Sequence, residues 1–170
     1  EGERALCFWL SQQTEVSLYH PDKEIRQEAS DYVSLMTPVV KSLFTDLAME
    51  ITSDAMQIHG GYGYTKDQGI EQLYRDNRIT PIYEGTNSVQ ASDLVFRKLS
   101  NKNGSIINKF LDQLKSECNS NNEKIKPFLS EFNSHLSILK KFSGWMMDRI
   151  KTEKDDVSAA ANDYLKTLGY

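Results

Sequence analysis

Residues 54–99 read DAMQIHGGYGYTKDQGIEQLYRDNRITPIYEGTNSVQASDLVFRKL, and this stretch decides how the helices around it are connected. Its first residues continue a helical pattern that begins upstream. The glycine-rich text at 60–63 interrupts that pattern, because a glycine inside a helix costs about 1 kcal/mol relative to alanine. A short helix is then predicted from Ile70 to Asn77.

A loop is predicted around Pro81 to Gly85, and a further helix follows it. Thr86 or Asn87 can cap the first turn of this helix, because both side chains accept hydrogen bonds from backbone amides. The helical pattern continues to about Leu99. The stretch therefore predicts two helices with an irregular loop between them.

The residues before this stretch predict two helices. Arg4 to Leu18 has helical spacing, and His20-Pro21-Asp22 ends it, because proline has no amide donor and disfavours a helical conformation in the preceding residue. A long helix follows from about Lys23 to Ile58, with Pro38 inside it. Its apolar residues recur mostly at steps of three or four, as a core-facing stripe requires. The stripe consists of Ile25, Ala29, Tyr32, Val33, Met36, Val40, Leu43, Phe44, Leu47 and Ile51.

The residues after this stretch predict three more helices. Ser100 to Ser105 is polar and contains Gly104, so we place a domain boundary there. Apolar residues then recur at helical spacing around 110–118, 125–150 and 157–168. The stripe of the longest of these helices is more typical of a core or a subunit interface than of a ligand pocket. No strand-like alternation of useful length occurs, and the chain is predicted to be all-α.

Composition excludes several classes of function. Hydrophobic residues make up 39% of the chain and charged residues 26%, as in ordinary soluble proteins, and the net charge is −4. No basic block indicates nucleic-acid binding, and no apolar run reaches the ~18 residues that a membrane span needs. Cys7 and Cys118 lie far apart and are interpreted as two reduced thiols. The chain begins without methionine and directly in a sequence with helical spacing, which predicts a cut inside a longer protein.

Two blocks, QIHGGYGYT at 57–65 and YRDNRITPIYEGTN at 74–87, resemble the acyl-CoA dehydrogenase family closely. The family pattern places a glutamine, two residues and a double glycine at a helix end. An arginine–aspartate pair follows, and then tyrosine-glutamate-glycine-threonine. Both blocks have the family's order and spacing, and the resemblance covers roughly residues 1–99.

The resemblance implies a fold and a domain organisation. Residues 1–100 correspond to the C-terminal helical domain of the family, an up-down helical bundle that is truncated here at its N-terminus. Residues 105–170 are expected to form a helical extension for packing or assembly. A family branch with a further helical domain is similar in this respect, including the segment AAANDYL at 159–165. The upstream domains, which hold most of the flavin pocket, would lie outside this chain, so the chain alone is expected to be inactive.

Glu84 is the candidate catalytic residue. A lone glutamate is ordinarily a solvated surface group, but Ile82 and Tyr83 precede this one, and an apolar wall makes a carboxylate a better proton acceptor. Gly85 lets the backbone approach a ligand closely. The resemblance implies that Glu84 removes the α-proton of an acyl-CoA thioester, and that its backbone amide binds the thioester carbonyl. It places Tyr83 and Gly85 at the substrate, although Tyr83 can equally be an ordinary core residue.

FAD is the cofactor that the resemblance implies, as the acceptor of the β-hydride. Gln57 and Gly61 match family positions that touch the flavin of a neighbouring subunit. Thr86 and Ser88 match positions that contact the flavin of the same subunit, where many members have glutamine in place of Ser88. Taken without the resemblance, the glycines at 60–63 only mark the C-terminal end of a helix.

The remaining polar candidates are interpreted as structural. Arg75 and Asp76 are expected to form exposed salt bridges, which contribute about 0–1 kcal/mol. His20, His59 and His135 have no partner four residues away among themselves and no nearby cysteine, so no metal site is predicted.

The expected partners follow from the resemblance. They are an acyl-CoA substrate, an electron-transfer flavoprotein as electron acceptor, and further copies of the chain in a dimer or tetramer. The expected location is the cytoplasm, or the mitochondrial matrix in a eukaryote. Two other hypotheses stay open, a helical assembly module without catalysis and an acyl-CoA oxidase-like enzyme that passes electrons to oxygen.

Overall fold

The computed structural model describes residues 1–118 and 123–169, and all regular secondary structure in these residues is helical. The predicted fold class, an all-α up-down helical bundle, is confirmed. Short 3₁₀ turns lie at 60–64, 66–68 and 101–104. The α-helices of the described residues are α1 (Gly2–Tyr19), α2 (Lys23–Ile58), α3 (Ile70–Asn77), α4 (Asn87–Asp93), α5 (Ser105–Cys118), α6 (Lys126–Arg149) and α7 (Lys154–Gly169).

Helix α2 begins and ends at the predicted residues because both ends carry strong local signals. The Asp22 carboxylate caps the N-terminus by accepting hydrogen bonds from the amides of Glu24 at 2.7 Å and Ile25 at 3.4 Å. Gly60 follows the C-terminus with a φ of 58°, a left-handed conformation that glycine adopts without steric penalty. Pro38 lies buried within the continuous helix.

One hydrophobic core joins helices from both sides of the boundary predicted at 100–105. Helix α2 lies at its centre, and α1, α4, α5 and α7 pack against it. Each large apolar side chain that is fully buried contributes about 1.5–3 kcal/mol, so this shared core is the main source of stability. Its most deeply buried side chains are those of Leu35, Val39, Leu94, Val95, Leu99, Ile107, Met146, Val157 and Tyr164.

The predicted stripe of α2 is buried only in part. Tyr32, Met36 and Leu43 lie in the core, as expected. Ile25 is 44% exposed and Ile51 is 56% exposed, because no described residues enclose the sides of the helix that they occupy. Placing these two isoleucines in the core was therefore wrong for this chain.

The stripe of α6 shows the same division. Leu139 and Met146 are buried against the shared core, whereas Phe128, near the start of the helix, is 66% exposed. Apolar spacing along a helix predicts which residues share a face, but it does not predict how far along that face a neighbour extends.

Helix α1 is held by an aromatic cluster rather than by deep burial. None of its residues is fully buried. The Trp9 ring lies 6.2 Å from Tyr32 of α2 and 5.9 Å from Phe110 of α5, between ring centroids. Tyr32 and Phe110 are also 5.9 Å apart, so three helices meet at one triangle of rings. These separations are typical of favourable aromatic pairs.

The connection between α4 and α5 has an unusual backbone. Residues Leu94–Leu99 continue α4 as a π-helix, which the helical spacing of the sequence does not predict. Further along this connection, residues 102–104 are left-handed, with φ values of 49° at Lys102, 53° at Asn103 and 74° at Gly104. Gly104 lies buried against the Met147 side chain of α6.

We predict that Gly104→Ala destabilises the chain by about 1–2 kcal/mol, because alanine is disfavoured in a left-handed conformation. The new Cβ atom would also overlap the Met147 Sδ atom, which would have to move. Urea unfolding followed by circular dichroism measures the free energy of unfolding. Gly144→Ala is the matched control, since a Cβ there meets no atom within 4 Å and alanine favours a helix. Destabilisation of both variants by equal amounts would contradict the left-handed conformation and close packing described for Gly104.

Tyr164 joins α6 to α7 from a fully buried position. Its hydroxyl shares a hydrogen bond of 2.8 Å with Ser143 Oγ, and the Phe142 ring packs edge-on against it at 5.2 Å between centroids. Burial raises the pKa of Tyr164 to about 12, while the bond with Ser143 acts in the opposite direction. The neutral phenol is therefore the form that this core stabilises.

This burial predicts a loss of stability at alkaline pH. The pKa of Tyr164 is about 12 in the folded chain and about 10 in the unfolded chain, so the unfolded state releases the proton first as pH rises. The stabilising contribution is complete below about pH 10 and is lost as pH rises toward about 12. Tyr164→Phe removes the ionisable group, and its free energy of unfolding should fall less steeply over this range.

Urea unfolding at a series of pH values from about 8 to 11 tests the difference. Tyr19→Phe is the control, because Tyr19 is 78% exposed. If Tyr164→Phe and the unmodified chain have the same pH dependence, the buried phenol does not act as described.

Candidate functional site

The loop between α3 and α4 is closed by its own backbone. The Tyr83 amide donates to the Ile79 carbonyl at 3.0 Å, and the Asn87 amide donates to the Pro81 carbonyl at 3.2 Å. Thr86 caps α4, its hydroxyl oxygen accepting the amide three residues later at 3.3 Å. Of the two capping residues that the sequence allows, the structure uses Thr86.

Glu84 and Gly85 form a left-handed turn within this loop. Their φ values are 53° and 86°, and a left-handed conformation costs a non-glycine residue about 1–2 kcal/mol. Two side chains hold the turn by binding its carbonyl oxygens. Gln90 Nε2 donates to the Glu84 carbonyl at 2.9 Å, and Lys41 Nζ donates to the Gly85 carbonyl at 2.9 Å. The carbonyls are thus fixed while the Glu84 side chain remains exposed.

Lys41 belongs to a polar network that joins α2 to the start of α4. Its Nζ atom also donates to Asn87 Oδ1 at 2.8 Å, and Asn87 Nδ2 donates to Asp46 Oδ1 at 2.7 Å. Desolvation lowers the pKa of Lys41 from its usual value, while the charges of Asp46 and Glu84 act in the opposite direction. The ammonium is therefore a partly desolvated cation with two carboxylates in its surroundings.

The predicted flavin-contact residues lie on two separate elements. Gln57 is exposed in the last turn of α2, and Gly61 is exposed in the 3₁₀ turn Gly60–Tyr64, which packs on α2 and α3. Gly63 of the same turn is buried, and a Cβ atom there would lie 2.5 Å from the Met56 carbonyl oxygen. The glycine cluster therefore serves as a compact helix end, with Gly61 on its open side.

Thr86 and Ser88 lie beside Glu84 at the start of α4. Ser88 is exposed, and its Oγ atom accepts a hydrogen bond of 3.4 Å from Asn162 Nδ2 of α7. The structure thus brings Glu84, Thr86 and Ser88 together at one junction. Within residues 1–118 and 123–169, no hydrogen bond or ion pair joins this junction to Gln57.

The predicted substrate-contact residues are open to solvent in this chain. Tyr83 is 50% exposed and Ile82 is 45% exposed, so the apolar wall predicted beside Glu84 is not closed by the described residues. Lys41 Nζ lies 6.0 Å from the centroid of the Tyr83 ring. A Cβ atom at Gly85 would lie 3.2 Å from Val89 Cγ1, so a side chain there would crowd α4.

The other polar candidates show no sign of a binding site among the described residues. Arg75 pairs with Glu71 at 3.5 Å within α3, as the predicted salt bridge requires, but only the arginine end of the pair is exposed. Asp76 forms no ion pair among the described residues. The part of the chain that the structure describes contains no group of three histidine, cysteine, aspartate or glutamate side chains placed to hold a metal ion. No helix in that part is long and apolar enough to cross a membrane.

Comparison with known proteins identifies the family. Residues 22–99 match the model of the acyl-CoA dehydrogenase C-terminal domain. Over 114 residues the chain is 39% identical to 3-methylmercaptopropionyl-CoA dehydrogenase of Ruegeria pomeroyi, covering 67% of this chain and 19% of that protein. The chain belongs to the acyl-CoA dehydrogenase family.

Two further comparisons extend the match beyond the C-terminal domain of the family. Butyryl-CoA dehydrogenase of Syntrophomonas wolfei is 31% identical over 132 residues, which cover 78% of this chain and 21% of that protein. The structure of Caenorhabditis elegans ACDH-11 in complex with C11-CoA superposes on 98% of this chain and 29% of its own, with a TM-score of 0.77 and 27% identity. The chain spans about a fifth of the length of the two curated relatives.

The exposed residues fit a polar cofactor such as FAD as part of a larger site. A Cβ atom at Gly61 meets no atom within 4 Å, so a ligand can approach the backbone there. Gln57 and Ser88 carry hydrogen-bonding groups on exposed side chains. In this chain these residues form open surfaces, and the remaining walls of an acyl-CoA dehydrogenase site would have to come from outside the described residues.

The site residues that the sequence analysis missed are those that hold the turn. Lys41 and Gln90 were not identified, and Asn87 was considered only as a helix cap. One local signal was available for Lys41, which is a charged residue inside the apolar helical run VVKSLF at 39–44. A lone charge between buried neighbours is typical of a residue with a specific polar partner.

The left-handed turn predicts that glycine is more stable than alanine at position 84. Glu84→Gly and Glu84→Ala both remove the carboxylate, but only alanine keeps a Cβ atom in the left-handed conformation. We expect the glycine variant to be about 1 kcal/mol more stable than the alanine variant. Thermal unfolding of the two variants measures the difference. In an ordinary right-handed loop, alanine would be the more stable of the two, and that order would contradict the described turn.

Proposed function

We propose that this chain is the C-terminal part of a flavin-dependent acyl-CoA dehydrogenase that converts an acyl-CoA thioester to 2-enoyl-CoA. The observation that carries the proposal is the presentation of Glu84 on a left-handed turn whose carbonyls are bound by Gln90 and Lys41. This is also the position at which the family resemblance places the base. Glu84 is the proposed catalytic residue, and Tyr83 and Gly85 are the proposed substrate-binding residues.

In the proposed reaction, Glu84 takes the α-proton of the substrate onto a carboxylate oxygen. The electrons of the broken α C–H bond then form the new α,β double bond. Bound FAD would supply the acceptor for the hydride that leaves the β-carbon. Proton transfer by a positioned base contributes about 10²–10⁴-fold to a rate.

The backbone of the turn supports a second role. Glu84 and Gly85 lie outside the helices, and among the described residues neither of their amides donates a hydrogen bond to a backbone carbonyl. An amide without an internal acceptor can bind the thioester carbonyl oxygen and stabilise the charge that develops there as the α-proton leaves.

The proposed flavin contacts require more than one subunit. Thr86 and Ser88 would contact the flavin that works with Glu84, because all three lie at one junction. Gln57 and Gly61 lie on a different element and match the family positions that touch a neighbour's flavin, so they are proposed to contact the flavin of a second subunit in a homodimer or homotetramer. Exposed apolar side chains on and beside that element, including Ile58 at 83% exposed and Tyr62 at 74%, fit a surface that is covered in the assembled protein. The proposed electron acceptor is an electron-transfer flavoprotein.

The proposed role of the extension, residues 105–170, is to support the domain formed by residues 1–100. Helix α7 packs against both α2 and α4, and its Asn162 binds Ser88. The extension thereby contacts the helix at whose start the proposed flavin-contact residues lie. It also supplies buried side chains to the shared core.

The substitution Glu84→Gln tests the proposed reaction in the enzyme that contains this chain. Glutamine keeps the shape of the side chain but cannot accept the proton, so turnover should fall by at least about 10²-fold. Flavin content and the melting temperature should stay close to those of the unmodified enzyme. Acyl-CoA-dependent dye reduction measures turnover, and flavin absorbance measures cofactor content.

Glu131→Gln is the matched control, since it makes the same change at an exposed carboxylate on α6. Near-normal turnover of Glu84→Gln would show that another residue is the base. A protein without flavin would indicate the assembly module, whereas peroxide formation in place of reduction of an electron-transfer flavoprotein would indicate the oxidase-like enzyme.

A further inference from the structure

Lys41 links helix α2 to the loop that carries Glu84. Its ammonium group makes two hydrogen bonds across 44 and 46 residues of sequence, to the Gly85 carbonyl at 2.9 Å and to Asn87 Oδ1 at 2.8 Å. It also lies 6.0 Å from the centroid of the Tyr83 ring. One side chain of α2 therefore binds the residue that follows Glu84 and the first residue of α4, and lies near the ring of the residue that precedes Glu84.

Asn87 is oriented by the charges on either side of it. Its amide oxygen faces the Lys41 cation, and its amide nitrogen donates to Asp46 Oδ1 at 2.7 Å and to Thr45 Oγ1 at 3.1 Å. The reverse orientation would place the amide NH₂ against an ammonium and the oxygen against a carboxylate. The hydrogen-bonded network Lys41–Asn87–Asp46 thus has one favourable arrangement, and its hydrogen bonds are strong because they are charge-assisted.

A left-handed glutamate needs such support. The left-handed conformation of Glu84 is disfavoured for a residue with a Cβ atom, and the loop is largely exposed, so local packing alone provides little to maintain it. The hydrogen bond from Lys41 binds the carbonyl of Gly85, the second left-handed residue. In the absence of that bond, Gln90 would hold only the Glu84 carbonyl, and the peptide between Gly85 and Thr86 would be free to rotate, which would loosen the turn that presents Glu84.

We propose that Lys41 is a positioning residue for the reaction, which fixes the Glu84–Gly85 turn through the Gly85 carbonyl and Asn87. The proposal rests on the proposed function for its catalytic consequence, but the structural role of Lys41 can be tested separately. Lys41 does not need to touch the substrate, because it acts through the backbone that presents Glu84.

The first test uses the 170-residue chain and amide hydrogen exchange followed by NMR. The Asn87 amide reports closure of the loop, because it donates to the Pro81 carbonyl. In Lys41→Met, which removes the donor and keeps the apolar stem, exchange of this amide should accelerate about tenfold to hundredfold. Lys41→Arg, which keeps a cation and donors, should restore most of the protection. If Lys41→Met does not fold, Lys41→Gln takes its place, with an acceleration of at least several-fold expected.

Lys98→Met is the matched control. Lys98 Nζ donates to Ser34 Oγ of α2 at 2.9 Å, so it also links α2 to the segment that follows the loop, but it does not touch the loop itself. Exchange of the Asn87 amide should change by less than about twofold in this variant, beyond any loss of global stability. Equal acceleration in both lysine variants, or none in Lys41→Met, would overturn the proposal.

The second test uses the flavin-loaded enzyme that contains this chain. Lys41→Met should lower kcat by at least about tenfold, while KM for the acyl-CoA changes by less than about threefold and the flavin content is unchanged. Lys41→Arg should recover most of kcat, and Lys98→Met should keep it. Loss of flavin together with kcat would assign Lys41 to general stability and overturn the positioning role.

The two tests separate the two proposals. If the unmodified enzyme shows no acyl-CoA-dependent turnover, the proposed function fails, and hydrogen exchange alone decides whether Lys41 fixes the turn. If turnover is normal but Lys41→Met behaves like Lys98→Met in both experiments, the proposed function stands and the role of Lys41 is overturned.

Discussion

The burial of one apolar face of helix α2 is the constraint on which the rest of the structure depends. Helices α1, α4, α5 and α7 all pack against it, and they come from segments before and after the polar connection at 100–105. Leu35 and Val39 at its centre are almost fully buried. The connection must therefore turn sharply enough for α5 to return to α2, which it does through the three left-handed residues that end at Gly104.

The same helix organises the site by a different kind of interaction. Where the apolar face of α2 ends, Lys41 and Asp46 lie on either side of the Asn87 side chain. Both groups are only partly buried, and desolvation lowers the pKa of Lys41, whose hydrogen bonds hold the Asn87 side chain and the Gly85 carbonyl. An exposed loop consequently has a defined backbone, and an ordinarily unfavourable conformation of Glu84 is maintained by its connection to the core.

The described residues do not enclose the proposed site. Glu84 and Ser88 lie at the start of α4, whereas Gln57 lies in the last turn of α2 and Gly61 just beyond its end, and both groups face solvent. The buried core stabilises the helices that carry them without enclosing either group. A chain that spans about a fifth of its curated relatives can thus have a well-packed core and still present its proposed site residues as open surfaces.

The sequence alone determined the features that depend on neighbouring residues. Asp22 and Thr86 cap helices through bonds that span two or three positions, and Gly60 ends α2 through its own backbone, so helix bounds could be predicted. The motif around Glu84 likewise identified the family and the proposed base. Only the tertiary structure decided which apolar residues are covered, because periodicity defines a face and not its neighbour. It alone revealed the partners of Lys41, because a bond across 44 residues depends on how the helices pack.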